Sequence, residues 1–268
     1  MPEVTAGAND LRHMRRGAAA THNPSMLKTL LAIHVAGGSV ALASMLLPLF
    51  SKKGGSLHRK AGWVFVGGMT LVSVTAFILA GARALTDTRP QGQQAGVFLF
   101  YVALLTGAGV SAGIRVLRAK SRTAAHRHWW DVGVAVALTT GSLATLAYGL
   151  AMRQTLFTAF SLIGIANGIS QLRYWLRPPT HRMHWWFEHM GAMLGACIAA
   201  TTAFLVVNAG RLGLETFSLA VWLSPTVVGV PTIVLWTRYY QEKFAESASP
   251  GVPRRGSFAG SQAQGPGR

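Results

Sequence analysis

Acidic residues are scarce in this chain. Its 268 residues hold 8 Asp and Glu against 25 Lys and Arg, a formal net charge of +17. All four charged types together make up 12% of the sequence, against roughly 25% in an ordinary soluble domain. That combination excludes a soluble nucleic-acid binder, whose basic surface would bring far more charge overall and no long uncharged runs. Cysteine is nearly missing: Cys197 alone excludes an internal disulfide framework and a multi-cysteine zinc site. No H-E-x-x-H occurs, nor any sign of a nucleophilic triad, a phosphate-binding glycine loop or a nucleotide fold. There are no alternating polar and apolar runs of the kind that make membrane β-strands. What is present is apolar: half of the chain, too much for a disordered main body.

Seven stretches contain no Asp, Glu, Lys or Arg: Thr29–Ser51, Ala61–Ala82, Pro90–Ile114, Val132–Met152, Gln154–Leu172, His189–Gly210 and Thr216–Thr237. A helix needs about 20 apolar residues to cross a ~30 Å hydrocarbon core. With no water to satisfy a lone backbone, helix is the remaining choice. The expected fold class is therefore all-α, a polytopic membrane bundle of seven helices over 27–240. The first stretch is too long for the core of a cleavable signal peptide. Residues 1–26 read as a flexible tail, and 241–268, rich in Ser, Pro and Gly, as a disordered one.

Basic residues set the expected orientation. Twelve Lys and Arg fall in the loops after the first, third and fifth segments, and four in the loops after the second, fourth and sixth. The richer set should face the cytoplasm, with the N-terminus outside and the C-terminus inside. Trp63, Trp129, Trp130, Trp175, Trp185, Trp186 and Trp236 fall at that same edge, as an aromatic belt would, and Trp222 near the other. Gly109/Gly113, Gly164/Gly168 and Gly191/Gly195 have G-x-x-x-G spacing, which suits close helix packing within the chain or, alternatively, oligomerisation. Pro225 and Pro231 should bend the seventh helix.

The chain also repeats itself. Ser56-Leu57-His58-Arg59-Lys60-Ala61-Gly62-Trp63, Thr123-Ala124-Ala125-His126-Arg127-His128-Trp129-Trp130 and Thr180-His181-Arg182-Met183-His184-Trp185-Trp186 each carry a Ser or Thr cap candidate, a His-Arg pair and a following Trp. Each is expected to open an even-numbered helix, so that three helical hairpins and one further helix build the bundle. Cations at a helix N-terminus are disfavoured by the macrodipole. Repeating that cost three times points to an anion nearby. Helix starts bind phosphate through backbone N–H groups, and Arg adds a bidentate grip. The expected site is His58, Arg59, His126, Arg127, His181 and Arg182, holding an anion or an anionic phospholipid headgroup. The plainer reading puts Arg among headgroups, Trp in the belt and His neutral.

The His-Arg-x-x-Gly of His58, Arg59 and Gly62 and the His-Arg-x-Trp of His126, Arg127 and Trp129 resemble the paired signatures of a bacterial "predicted membrane protein" family of unknown function. His34 with Gly37 and Gly38, and the stretch from His189-Met190-Gly191 to Thr202-Ala203-Phe204, are similar to it as well. The resemblance spans most of residues 27–210. It implies a multi-pass protein of the bacterial inner membrane and brings no activity with it.

Ionisable groups inside a membrane are functional suspects. Here they are His34, Asp131, His184, Glu188 and His189. His181, His184 and Glu188 sit at i, i+3 and i+7, on one helical face. Such a face could serve a membrane metalloenzyme holding a divalent metal, with Asp131 or His58 completing the set, or could be an internal hydrogen-bonded pair. A b-type haem would need axial ligands at one depth. His34 lies ~21 Å from the inner edge and His189 ~9 Å, a mismatch for that pair. His58, His126, His181 and His184 share the inner edge and remain the alternative.

Overall fold

The computed structural model describes residues 24–248, and all of the regular structure in it is helical. The helices are α1 (Pro24–Ser44), α2 (Leu46–Phe50), α3 (Ser56–Thr86), α4 (Pro90–Arg115), α5 (Trp129–Ala151), α6 (Thr155–Leu176), α7 (His184–Asn208) and α8 (Leu219–Ala248). Short 3-10 turns follow α4 at Val116–Arg118 and α7 at Ala209–Leu212. Seven spans are long and apolar enough to cross a membrane: Ser25–Phe50, Ser56–Thr86, Pro90–Arg118, Trp129–Ala151, Thr155–Leu176, His184–Leu212 and Leu219–Phe244. Between 11% and 39% of each apolar window is buried by the protein itself. The remainder, including exposed Val35, Val136, Leu162 and Val227, is a surface that water would not tolerate and hydrocarbon would.

The helix ends differ from the charge-free stretches. Arg83 lies inside α3 and Arg173 inside α6. A charged side chain does not stop a helix, because its long stem lets the head reach the interface while the backbone continues. Of the segments expected to be tails, 24–26 belong to α1 and 241–248 to α8; the rest of 1–26 and 241–268 lies outside the described residues.

The chain divides into two units after Val230, within the last span. In the first unit α4 is the common neighbour, packing against α3, α5, α6 and α7. The most extensive pairs are α3 with α4, α5 with α6, and α1 with α3. The repeat therefore does not translate into three equivalent packed hairpins: α6 and α7, adjacent in sequence, share little contact. Two apolar clusters hold this unit. One joins Ala41, Phe65, Val66, Met69, Val110 and Ala196 from α1, α3, α4 and α7. In the other, Phe98 of α4 meets Phe157, Phe160 and Trp222 at ring-centroid distances of 5.0, 5.3 and 5.0 Å, the T-shaped and tilted geometries that aromatic quadrupoles favour. Trp222 is thus a core residue, anchored by its Nε1–H to the Thr216 carbonyl at 2.8 Å, and not part of an interfacial belt. In the second unit, residues 231–248 are helical and Tyr240 packs between Tyr239 and Phe244.

Glycine lets the helices of the first unit approach. Tyr101 Oη donates to the Phe160 carbonyl at 3.0 Å and lies 3.0 Å from the Ser142 hydroxyl. A Cβ at Gly164 would occupy the place of both hydroxyls, and one at Gly168 would meet Thr139. Gly113 faces Ala192 and Met193 of α7. These spacings therefore serve packing within the chain. Gly109, Gly191 and Gly195 have open space where a Cβ would stand.

Candidate functional site

The His-Arg turns come together at one end of the first unit. Donation by the His126 backbone N–H to the Trp175 carbonyl, 2.8 Å away, ties the loop before α5 to the end of α6. The Arg122 Nη1 group reaches the Trp175 and Arg177 carbonyls at 3.5 and 2.8 Å. On α7, His189 Nδ1 donates to the Gly113 carbonyl near the end of α4, at 2.7 Å, and His58 and Lys120 lie in its neighbourhood. The second and third His-Arg pairs do not open helices: α5 begins at Trp129 and α7 at His184. Only His58 and Arg59 sit in a first helical turn. Ser56, Thr123 and Thr180 are not caps. The N-cap of α3 is Gly55 and that of α7 Met183, neither with a capping side chain, whereas α5 is capped by His128 Nδ1, which accepts from the Trp130 N–H at 3.2 Å. The dipole penalty expected three times over thus applies directly to one pair.

Within each pair the two side chains part. His58 Nδ1 donates to the Pro48 carbonyl on α2 at 3.2 Å. Lys53 Nζ donates to Pro48 and to Leu49 at 2.8 and 2.6 Å, closing the end of that short helix. His126 Nε2 donates to Asp131 at 2.9 Å, and His181 sits edge-on to Phe187. Arg59, Arg127 and Arg182 are exposed, and their side chains make no hydrogen bond or ion pair among the described residues.

Asp131 is the centre of a buried network. It is 4% exposed. Arg115 grips it from the last turn of α4, Nε to Oδ1 at 2.5 Å and Nη2 to Oδ2 at 2.8 Å. With His126 on Oδ2 as well, both oxygens are occupied. Nη2 of Arg115 also lies 3.2 Å from His128 Nδ1, and the His126 and His128 rings stack at 6.0 Å. An acid in the first turn of one helix and a base in the last turn of another are each where the macrodipole favours them. That preference was the available signal for Arg115, a partner the motif reading passed over. Chemically the network is a clamp: its carboxylate accepts three hydrogen bonds from two neighbouring side chains, which fix its position between α4 and the loop before α5.

A second polar group surrounds Tyr174. The Arg122 guanidinium stands 4.5 Å from the Tyr174 ring centroid and 5.8 Å from that of Trp175, a cation–π arrangement. Tyr174 Oη lies 2.9 Å from His184 Nδ1. Trp175, expected in the interfacial belt, is 2% exposed and packs on both His126 and Tyr174. Trp63, Trp129 and Trp130 do face outward.

The proposed metal face on α7 is not assembled. Among the described residues no three of His, Cys, Asp and Glu gather as a ligand set. The reason is local: His181 precedes the helix, so the i, i+3, i+7 spacing that would align it with His184 and Glu188 does not apply. For haem, His126 Nε2 is committed to Asp131, while His34 Nδ1 is bound to Thr75 Oγ1 of α3 at 2.9 Å.

At the other end of α3, Asp87 accepts from the Arg89 backbone N–H, Nε and Nη2 at 3.0, 3.1 and 3.1 Å, and Arg83 Nε stands 3.7 Å away. Those hydrogen bonds hold its carboxyl below the usual carboxylate range. An open groove of about 620 Å³ is bordered by Asp87 and by the two arginines that pair with it.

Helices, composition and burial together define a multi-pass α-helical membrane protein. Comparison with protein families, with curated proteins and with solved structures finds no match to this chain.

Proposed function

We propose that this chain is a bacterial inner-membrane protein whose His-Arg rim, on the cytoplasmic side, binds anionic phospholipid headgroups through Arg59, Arg127 and Arg182, with His58, His126 and His181 fixing the turns that carry them. One observation carries the reading. Arg115 and Arg122 reach internal partners, whereas the side chains of these three exposed arginines make no hydrogen bond or ion pair among the described residues. Basic residues next to a membrane are worth about 1 kcal/mol each against an anionic leaflet. Native mass spectrometry of protein extracted with phosphatidylglycerol and cardiolipin tests this. Replacing the three arginines with Gln should reduce retained anionic lipid several-fold, while Arg153→Gln with Arg211→Gln, at the opposite end, should leave it unchanged. Equal retention by the triple variant and the parent rejects the rim.

The orientation is tested separately. In a Cys197→Ser background, Ser121→Cys and Thr180→Cys should react with an impermeant maleimide only after the inner membrane is opened. Thr88→Cys should react in spheroplasts that are intact. Labelling of Ser121→Cys and Thr180→Cys in intact spheroplasts would reverse the topology.

A further inference from the structure

The groove at the end of α3 away from the His-Arg rim is open and carries accessible charge. Its volume is about 620 Å³, and it is lined by Leu27 in the first turn of α1, by the last turns of α3 and by Asp87 and Arg89 of the loop to α4. A second recess of about 240 Å³ shares Arg83 and Arg89 with it and adds Gln91, Ala95 and Phe217. The side chains of Arg83 and Arg89 keep 45% and 75% of their surface, and that of Asp87 keeps 13%. Both guanidiniums can therefore be reached from outside the protein.

The charges in this groove do not cancel. Two guanidiniums stand beside one carboxylate, which leaves one positive charge over. Asp87 is turned to Arg89: Oδ1 accepts from the Arg89 backbone N–H and Nε, and Oδ2 accepts from Nη2. The same carboxylate is seated against Gly92 in the first turn of α4, where a Cβ would take its place. Arg83 is left over. Its Nε stands 3.7 Å from Oδ2, beyond hydrogen-bond length. The Arg83 side chain makes no hydrogen bond among the described residues.

The remainder of the wall is apolar and lies toward the membrane. Leu79 is one turn deeper in the span than Arg83, ~6 Å along the axis. Ala82 and, from α1, Leu27 border the same groove. A small hydrophilic anion would answer Arg83 and leave this wall bare. A neutral lipid would cover the wall and leave the charge. A lipid with one negative charge does both, because an Arg fork binds an oxyanion with two parallel N–H groups and burial of the chain removes apolar surface from water.

We propose that this groove binds a lipid whose headgroup is a single oxyanion, as in a fatty acid, with the oxyanion on Arg83 and the chain against Leu27, Leu79 and Ala82. The site rests on the membrane-spanning fold and stands at the opposite end from Arg59, Arg127 and Arg182.

The full chain in phosphatidylcholine nanodiscs provides the test, with palmitic acid carrying a diazirine in its chain, or the matching alcohol, as the probe. The buffer is alkaline enough to ionise the acid, and cross-linked residues are read by peptide mass spectrometry after illumination. The acid should label Leu27 and residues 79–82 at least five-fold more than the alcohol does. Arg83→Gln should bring acid labelling of these residues down to the level of the alcohol, while Arg211→Gln, at the same end of the protein, should leave it unchanged. Labelling that persists in the triple arginine variant of the rim separates the two sites. Millimolar butyrate in the aqueous phase should not compete; displacement of the probe by it would assign the groove to a free acid and overturn the lipid. Equal labelling by acid and alcohol in the wild-type chain overturns the proposal without recourse to any variant, as does undiminished labelling of folded Arg83→Gln.

Discussion

Replacing Asp131 with Asn is expected to lower the unfolding free energy by about 3 kcal/mol, the lower end of what breaking a buried ion pair costs. The carboxylate is nearly inaccessible and takes three charge-assisted or polar hydrogen bonds from Arg115 and His126. Its removal leaves the Arg115 guanidinium inside the protein without a counter-charge. The lower end applies because the Arg115 side chain keeps 22% of its surface. Replacing both partners together, Arg115→Met with Asp131→Leu, removes the charges in pairs and should recover stability to within about 1 kcal/mol of the parent. Denaturant titration in mixed micelles measures both. If Asp131→Asn stays within about 0.5 kcal/mol of the parent, the clamp contributes nothing and the joint between α4, α5 and α6 must be held by packing alone.

Gly96→Val should destabilise by a similar amount, about 3 kcal/mol, the upper part of the usual range for overpacking. A Cβ at Gly96 would collide with the backbone of Ala84 and come within 2.9 Å of the Ala80 carbonyl oxygen. Backbone cannot swing aside as a flexible side chain does, so α3 and α4, the most extensively packed pair, would have to separate. Gly195→Ala provides the contrast. Nothing stands within 4 Å of a Cβ there, and the exchange should stabilise α7 by roughly 0.5–1 kcal/mol through the lower backbone entropy of alanine. Equal effects at the two positions would mean that helix propensity and not close approach governs both.

The spanning helices could be read from local pattern because each is a local property: twenty-odd residues without charge need no knowledge of their neighbours to be driven into hydrocarbon. The gathering of the His-Arg turns at one end follows from the same alternation of crossings. The fate of individual side chains did not follow. Trp175 and Trp63 both stand at the edge of a span, yet one is buried between His126 and Tyr174 and the other faces outward. Position along a helix sets depth, but its azimuth toward α5 or toward lipid depends on which helices are neighbours. Likewise His181 looked aligned with Glu188 only as long as the helix was taken to begin before it. The start at His184 depends on the tertiary anchoring of that turn.

Arg115 and Arg122 show the same limit from the other direction. In sequence they are two more basic residues in a basic loop, indistinguishable from Arg118 or Arg127. Only the meeting of α4, α5 and α6 turns Arg115 toward Asp131 and lays Arg122 across Tyr174.

Apolar run length and the absence of charge within each run determined by themselves that the chain is helical, has seven segments fit to cross a membrane and carries most of its loop positive charge in alternate loops, because the transfer of each segment into lipid depends on that segment's own composition. Which arginines are paired inside, which tryptophans are buried and which helices adjacent in sequence share little contact were decided by tertiary structure, because pairing and burial are relations between segments far apart in the chain.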